Sequence, residues 1–226
     1  MLAFHNDKEI KQKYIDRVRA HMIADEIIKG LYWENGRGCA VGCTIHGSDH
    51  QKYEDELGIP TVLARLEDSI FEGLPNHLSK MWPLEFLEAI EVGADLSWIW
   101  PKFVIWLMTD KEHGVIRFAK TEEEKKIIHK VSDSYRDFKN TTAEQWYELR
   151  IAARKFYTNA AAAADTAAAD TAYANASAYA ANAAANAAIA FAYYAADAGA
   201  AAREEMRAVQ SIKFLELLKE CKYNHG

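Results

Sequence analysis

The sequence predicts an all-α fold, and three observations support this class. Over most of the 226 residues, apolar side chains recur at the three- and four-residue spacing of a helix face. Capping patterns stand at the start of several of these segments. Residues 160–202 are dominated by alanine, which has the highest intrinsic helix propensity. We therefore expect one compact multi-helix domain over 1–226, with a body over 1–140 and an alanine-rich helical region over 141–226 packed against it.

The N-terminal part of the chain is predicted to form several amphipathic helices. The first covers residues 8–29, where apolar and charged positions alternate at helical spacing, and Gly30 is expected to end it. Ser48 and Gln51 have the pattern of a capping box and precede a short helix. Residues 61–74 carry a continuous apolar stripe and are predicted to be helical.

Three carboxylates, Glu67, Asp68 and Glu72, lie on the helix predicted over 61–74. Paired carboxylates can perform acid–base chemistry or hold a divalent cation. Because charged residues are rarely buried, we expect these three to form a solvated helix face. His21 is likewise expected to be a packed or solvated residue of the first helix.

The central region is predicted to be helical and rich in tryptophan. Asp95 or Ser97 caps a helix that is expected to run to about Thr109. Tryptophan suits a pocket wall as well as a core, and core is the expected role here because the helix is apolar nearly all round. Half of the chain's six tryptophans fall in this segment, namely Trp98, Trp100 and Trp106.

Two capping patterns and one strand-like run follow. Residues 110–119 are expected to form a loop or a short extended piece, with 115–118 as the one credible strand-like run. Thr121 with Glu124 forms a capping box, and one of the threonines at 141–142 is expected to cap the next helix.

Within the alanine-rich region, polar residues, Asn182 and Asn186 among them, recur at mostly four- and three-residue spacing. They form a polar stripe along one helical face. The stripe either lines a cleft or a seam between helices, where it would hydrogen-bond a ligand or a neighbour, or it faces solvent. The alanine faces permit close helix–helix approach.

Residues 35–50 are the first candidate for a functional site, because they hold four of the 11 glycines, two of the three cysteines and two of the eight histidines. Gly38 and Gly42 allow close backbone approach, and a helix that begins near Cys39 would add free amides. The loop could therefore cradle an anion, with Arg37 as a charged donor. Its spacing matches neither the dinucleotide fingerprint nor the P-loop.

The same loop also has a metal or thiol interpretation, through the pattern C-x3-C-x2-H-x3-H. On one ideal helix the ends of this pattern would lie roughly 16 Å apart, so a shared zinc ion requires a turn at Gly42 or Gly47. A thiolate at a helix N-terminus would have a lowered pKa and could act as a nucleophile. In a third interpretation the cysteines are buried apolar residues and the glycines make a tight turn. The four residues of the pattern are Cys39, Cys43, His46 and His50.

Composition limits the classes of partner. A net charge of −6 argues against a general nucleic-acid binder. Three cysteines without a regular framework fit a reducing compartment, and the N-terminus lacks an apolar signal core. The apolar run at 98–108 is too short to span a bilayer, and residues 161–188 lack Leu and Ile. We expect a cytoplasmic protein without a nucleic-acid or membrane partner and without a cofactor, unless the loop binds zinc.

The chain resembles a group of uncharacterised bacterial and phage proteins. The resemblance rests on the glycine–cysteine motif at 36–46, on the segments 57–60, 65–68 and 71–75, and on the alanine- and tyrosine-rich tail. It covers most of the chain and implies a module of this architecture, but it transfers no catalytic residue. Its setting is similar to that of small phage or mobile-element proteins that bind host molecules.

Three functions are expected from these patterns. In the first, the protein sequesters a small anionic ligand such as a signalling nucleotide, with Arg37 and loop amides at the phosphates and Trp33 or Trp98 stacked on the base. In the second, a hydrolase or transferase uses the loop cysteines and histidines or a zinc ion. In the third, the alanine-rich helix is a protein–protein contact surface, for which a homo-oligomer would be one outcome. The ligand-binding set of the first hypothesis is Trp33, Arg37, Gly38, Cys39, Gly42, Cys43, Trp98, Asn182 and Asn186.

Overall fold

The computed structural model describes residues 1–119, 121–157 and 200–221. Over these ranges the chain is mostly helical with one two-stranded sheet, so the predicted all-α class is confirmed. The chain divides into a first unit, Met1–Trp100 with Ala200–Gly226, and a second unit, Pro101–Gly199.

Helices make up most of the described elements, and the two short strands follow the first helix. In chain order the elements are α1 (Lys8–Ile23), β1 (Trp33–Glu34), β2 (Arg37–Gly38), α2 (Ala40–Ile45), α3 (Lys52–Leu57), α4 (Thr61–Gly73), α5 (Asn76–Ser79), α6 (Trp82–Ala89), α7 (Ile99–Thr109), α8 (Glu122–Arg136), α9 (Ala143–Tyr157) and α10 (Ala200–Glu220). Short 3-10 turns occur at Ala3–Asn6, Leu96–Trp98 and Val115–Phe118.

Helix α1 is shorter than predicted, because the chain leaves the helix after Ile23. Asp25 has a φ of 55°, in the left-handed region, which ends the helix before the predicted stop at Gly30. The following residues run beside β2 instead. The amide of Ile28 donates to the carbonyl of Gly38 at 2.8 Å.

Strands β1 and β2 form a hairpin that brackets Asn35 and Gly36. These two residues have φ values of 51° and 82°, the left-handed pair that a two-residue type I′ turn requires. Trp33 pairs with Gly38 across the hairpin. An Asn-Gly dipeptide between short β-prone segments is a strong hairpin signal, and the all-helical prediction overlooked it.

The core of the first unit includes a cluster of aromatic rings between α6 and α10. The ring centroids of Trp82, Phe86 and Phe214 lie 5.6 to 6.4 Å apart, and Phe214 is fully buried. Helix α10 packs against α4 and α6. The C-terminal helix is therefore docked on the N-terminal body, whereas residues 158–199, on which the predicted packing of the alanine-rich helices mainly rests, lie outside the described residues.

In the second unit, helix starts were predicted correctly and the strand was not. Thr121 and Glu124 form the predicted capping box at the start of α8. At the start of α9, Thr142 and Gln145 exchange hydrogen bonds of 2.7 and 3.2 Å. The run at 115–118, expected to be extended, is a 3-10 turn, since no neighbouring strand among the described residues offers it a partner.

Two other predicted helix starts have different outcomes. Asp95 accepts from the Ser97 amide at 3.0 Å, and helix follows to Thr109 as expected. The capping box predicted at Ser48 is wrong, because the residue that accepts the Gln51 amide, at 3.0 Å, is Asp49.

None of the described helices is both long and apolar enough to traverse a lipid bilayer.

Candidate functional site

The short helix α2 separates the predicted loop residues into two groups. All six of its residues are buried, with Cys39 at the N-cap and His46 at the C-cap. A helix of this length spans about 9 Å, so its two caps cannot share one tetrahedral ion. The predicted four-ligand set therefore does not converge. Cys39 lies beside carboxylates of α4, whereas His46 lies beside His21 and Trp33.

The glycines of the loop make room for a neighbouring backbone carbonyl. A Cβ atom at Gly38 would lie 2.0 Å from the carbonyl oxygen of Tyr32, and one at Gly42 would lie 1.5 Å from the same atom. The Cys39 amide donates to the carbonyls of Leu31 at 2.7 Å and Tyr32 at 3.2 Å. The Cys39 amide, which was expected to bind an anion, is thus hydrogen-bonded within the protein. Both glycines allow the Tyr32 carbonyl to pack closely. Nucleotide binding stays a prediction without support from this geometry.

The other predicted ligand-binding residues do not surround the loop glycines as one site. Arg37 is exposed on β2. One face of the Trp33 ring is covered by His46. Trp98 is 37% exposed in its 3-10 turn. Asn182 and Asn186 lie outside the described residues.

The two loop thiols are buried and are not activated. Burial, with the negative charges of Asp68 and Glu67, raises the pKa of Cys39 well above its usual range. Burial also raises the pKa of Cys43 to about 12. The Cys43 thiol donates to the Gly38 carbonyl at 3.4 Å. The lowered thiol pKa expected at Cys39 is therefore wrong for the metal-free protein.

Cys39 belongs to a group of acids that we call the acidic cluster, formed by Cys39, Tyr53, Glu67, Asp68 and Glu72. The Cys39 Sγ and one carboxylate oxygen from each of Asp68 and Glu72 all lie within 4.8 Å of one another. Asp68 and Glu72 are four residues apart on α4 and therefore share a face. Glu72 is exposed and accepts the Gly30 amide at 3.0 Å.

Glu67 is the most unusual member of the cluster, because it is fully buried and its carboxylate oxygens have no hydrogen-bond partner at normal geometry. The same holds for the hydroxyl of Tyr53 and for Oδ1 of Asp68. Burial, together with the charge of Asp68, raises the pKa of Glu67 well above its usual range. The solvated face expected for these carboxylates is therefore wrong for Glu67.

His50 reaches the cluster through Asp68. Its Nε2 lies 3.2 Å from Oδ2 of Asp68, and its ring meets the Tyr32 ring edge-on at 5.7 Å. Neighbouring acids help to raise the pKa of Cys39 and of Glu67, whereas the charge of Lys29 partly offsets the raised pKa of Glu72. The cluster therefore gathers more acidic than basic groups around Cys39 and Glu67.

A second group of functional side chains lies at the other end of α2. Nε2 of His21 and Nε2 of His46 are 2.9 Å apart, and Nδ1 of His21 lies 2.6 Å from a carboxylate oxygen of Glu26. The Trp33 ring stacks on the His46 ring at 4.4 Å with an interplanar angle of 14°. We call His21 and His46 the histidine pair. Glu26 and Trp33 flank this pair.

Sequence reasoning noted some of these residues and missed others. Glu67, Asp68 and Glu72 were noted together as carboxylates of one helix, with a solvated face as the expectation. Glu26 and His21 gave no usable signal, because their role depends on His46, which is 25 residues from His21. Tyr53 was missed for the same reason, since its neighbour Glu67 lies on a different helix.

Comparison with protein-family models, with curated proteins and with solved structures finds no match to this chain.

Proposed function

We propose that this protein binds a divalent metal ion of the zinc type in the acidic cluster, with Cys39, Asp68 and Glu72 as ligands. The observation that supports the proposal is the approach of a thiol and two carboxylates beside the buried Glu67, which has the Tyr53 hydroxyl as a neighbour but no carboxylate hydrogen bond of normal geometry. Burial disfavours the charged form of an acid, and it raises the pKa of the Cys39 thiol and of Glu67 in the metal-free protein. A divalent ion would replace the Cys39 proton and compensate the charges of the thiolate and the carboxylates.

The donor set favours zinc over calcium or magnesium. Zinc accepts thiolate and carboxylate ligands, whereas calcium and magnesium prefer oxygen alone. A tetrahedral zinc ion holds such ligand atoms roughly 3.3–3.5 Å apart. The atoms of Cys39, Asp68 and Glu72 are within 4.8 Å, so modest side-chain rotations would close the site. His50, hydrogen-bonded to Asp68, would orient that ligand from outside.

Three protein ligands leave one coordination position open, which is typical of catalytic rather than structural zinc sites. Glu72 is exposed, so solvent reaches the cluster on this side. A zinc ion with an open position acts as a Lewis acid toward carbonyl and phosphoryl groups. We therefore propose hydrolysis or group transfer as the reaction class, which is the second of the functions expected from the sequence.

Zinc titration of the metal-free protein by calorimetry tests the proposal. We expect one site in the wild type and binding at least about ten-fold weaker in Asp68→Asn and Glu72→Gln, since each removes a ligand. Glu85→Gln is the matched control, because Glu85 is an exposed glutamate on α6. Zinc must also displace the Cys39 proton, so the heat should depend on the buffer. Equal zinc affinity in the wild type and Asp68→Asn would overturn the proposal.

A further inference from the structure

The histidine pair has the geometry of a hydrogen bond between two imidazoles. The ring centroids of His21 and His46 are 5.1 Å apart and the Nε2 atoms are 2.9 Å apart. The centroid separation is close to the Nε2 separation plus the two ring radii, so the two nitrogens face each other head-on. One of them must donate a proton to the other.

Glu26 decides which nitrogen donates. Its carboxylate can only accept, so Nδ1 of His21, 2.6 Å away, carries a proton. When both imidazoles are neutral, Nε2 of His21 holds the lone pair and accepts the Nε2–H of His46. This chain of hydrogen bonds leaves the lone pair of His46 on Nδ1. Among the described residues no hydrogen bond involves this Nδ1 atom.

The surroundings of His46 hold its ring in place and leave it accessible. The residue is exposed, and the Trp33 ring stacks on it. Partial burial of the ring and the nearby charge of Arg17 lower the pKa of His46, which favours the neutral imidazole. Arg17, whose Nη1 donates to the Thr44 carbonyl at 2.7 Å, thus places a positive charge near a neutral imidazole.

We propose that Nδ1 of His46 is a nucleophile for phosphoryl groups, oriented by His21 and Glu26, with the Arg17 guanidinium attracting the anionic substrate. The imidazole lone pair attacks phosphorus, an Nδ1–P bond forms, and the bond from phosphorus to the leaving group breaks with the electron pair on that group. The Nε2 proton of His46 passes toward Nε2 of His21, and Glu26 stabilises the resulting imidazolium. The donor class is an activated phosphate, such as a phosphoramidate or an acyl phosphate.

Phosphoramidate is a direct probe, because attack on it releases ammonia and transfers the phosphoryl group without any other reactant. We expect one group on His46, identified by peptide mass spectrometry, and phosphorus NMR should show the Nδ1 isomer. The His46→Ala variant should not acquire this phosphoryl group. His77 is exposed in the same unit, so labelling at that position gives the rate of an ordinary surface histidine.

Glu26→Gln and His21→Gln should slow His46 labelling at least about ten-fold, toward the His77 rate, with an unchanged circular dichroism spectrum. A merely structural role for Glu26 would leave the labelling rate of His46 unchanged in a folded Glu26→Gln variant. Labelling of His46 no faster than His77, or at Nε2, would overturn the proposal. The reaction is run with a chelator, so its result is independent of the proposed zinc site.

Discussion

Substituting Gly42 by alanine tests the packing that positions both ends of α2. The new Cβ would lie 1.5 Å from the Tyr32 carbonyl oxygen, so the two must separate by about 1.5 Å to reach even a tight contact of 3.0 Å. A backbone carbonyl cannot rotate away as a flexible side chain can. The hairpin that contains Trp33 must therefore move relative to α2.

The expected change in the free energy of unfolding combines one gain and two costs. Alanine gains about 1 kcal/mol over glycine in a helix interior. Overpacking of a tight site costs about 1–3 kcal/mol or more, and the weakened hydrogen bond from the Cys39 amide adds about 1 kcal/mol. We expect a net loss of about 1–3 kcal/mol in the free energy of unfolding. For a chain of this size that corresponds to a fall in Tm of about 2–12 °C.

Thermal unfolding followed by circular dichroism measures this change. Gly47→Ala is the matched control, since an added Cβ there meets nothing within 4 Å and the backbone is not left-handed. Its free energy of unfolding should stay within about 0.5 kcal/mol of wild type. If Gly42→Ala unfolded at the wild-type temperature, the close contact between α2 and Tyr32 would not exist as described.

Three further predictions concern burial. Burial holds the folded-state pKa of Glu67 above its ordinary value of 4.5. The folded metal-free protein therefore keeps a proton that the unfolded chain loses. The free energy of unfolding should fall as pH rises from about 4.5. Glu67→Gln should remove that slope in urea titrations at several pH values, and an unchanged slope would contradict the assignment. Phe214→Ala should lower the free energy of unfolding by about 3–5 kcal/mol in the same assay. Ile212 is 67% exposed, so Ile212→Ala should lower it by about 0.5 kcal/mol or less. Equal losses in the two variants would exclude the docking of α10. Alkylation by iodoacetamide at neutral pH should modify Cys221 well before the buried Cys39, whose thiol pKa is raised, and mass mapping that found Cys39 first would refute its burial.

Local signals in the sequence predicted much of the fold. The capping box at Thr121 and Glu124 is formed as expected, because it depends only on residues three apart. The apolar stripe of α4 placed that helix correctly over most of its length. The end of α1 was missed because the residues after Asp25 are held by a non-local bridge from Ile27 to Gly38. Tertiary pairing overrode helical periodicity there.

The candidate sites were harder to predict, since they depend on contacts between distant segments. The spacing of residues 63, 67, 70 and 74 puts Glu67 on the apolar side of α4, but the expectation followed its charge, and the sequence does not show that Tyr53 of α3 is its neighbour. The glycine–cysteine motif drew attention to the correct loop, although Gly38 and Gly42 pack against a carbonyl. Cys39 and His46 then belong to two different clusters rather than one.

Cobalt substitution tests the central claim, that Cys39 and the carboxylates of α4 form a metal site, most directly. Co²⁺ takes zinc-type ligand sets, and a thiolate ligand gives it an intense charge-transfer band in the near ultraviolet. Titration of the metal-free protein should produce this band with saturation at one equivalent. Cys39→Ser should abolish the band, and Cys221→Ser should keep it. A titration without a thiolate band, or a band that survives in Cys39→Ser, would contradict the assignment.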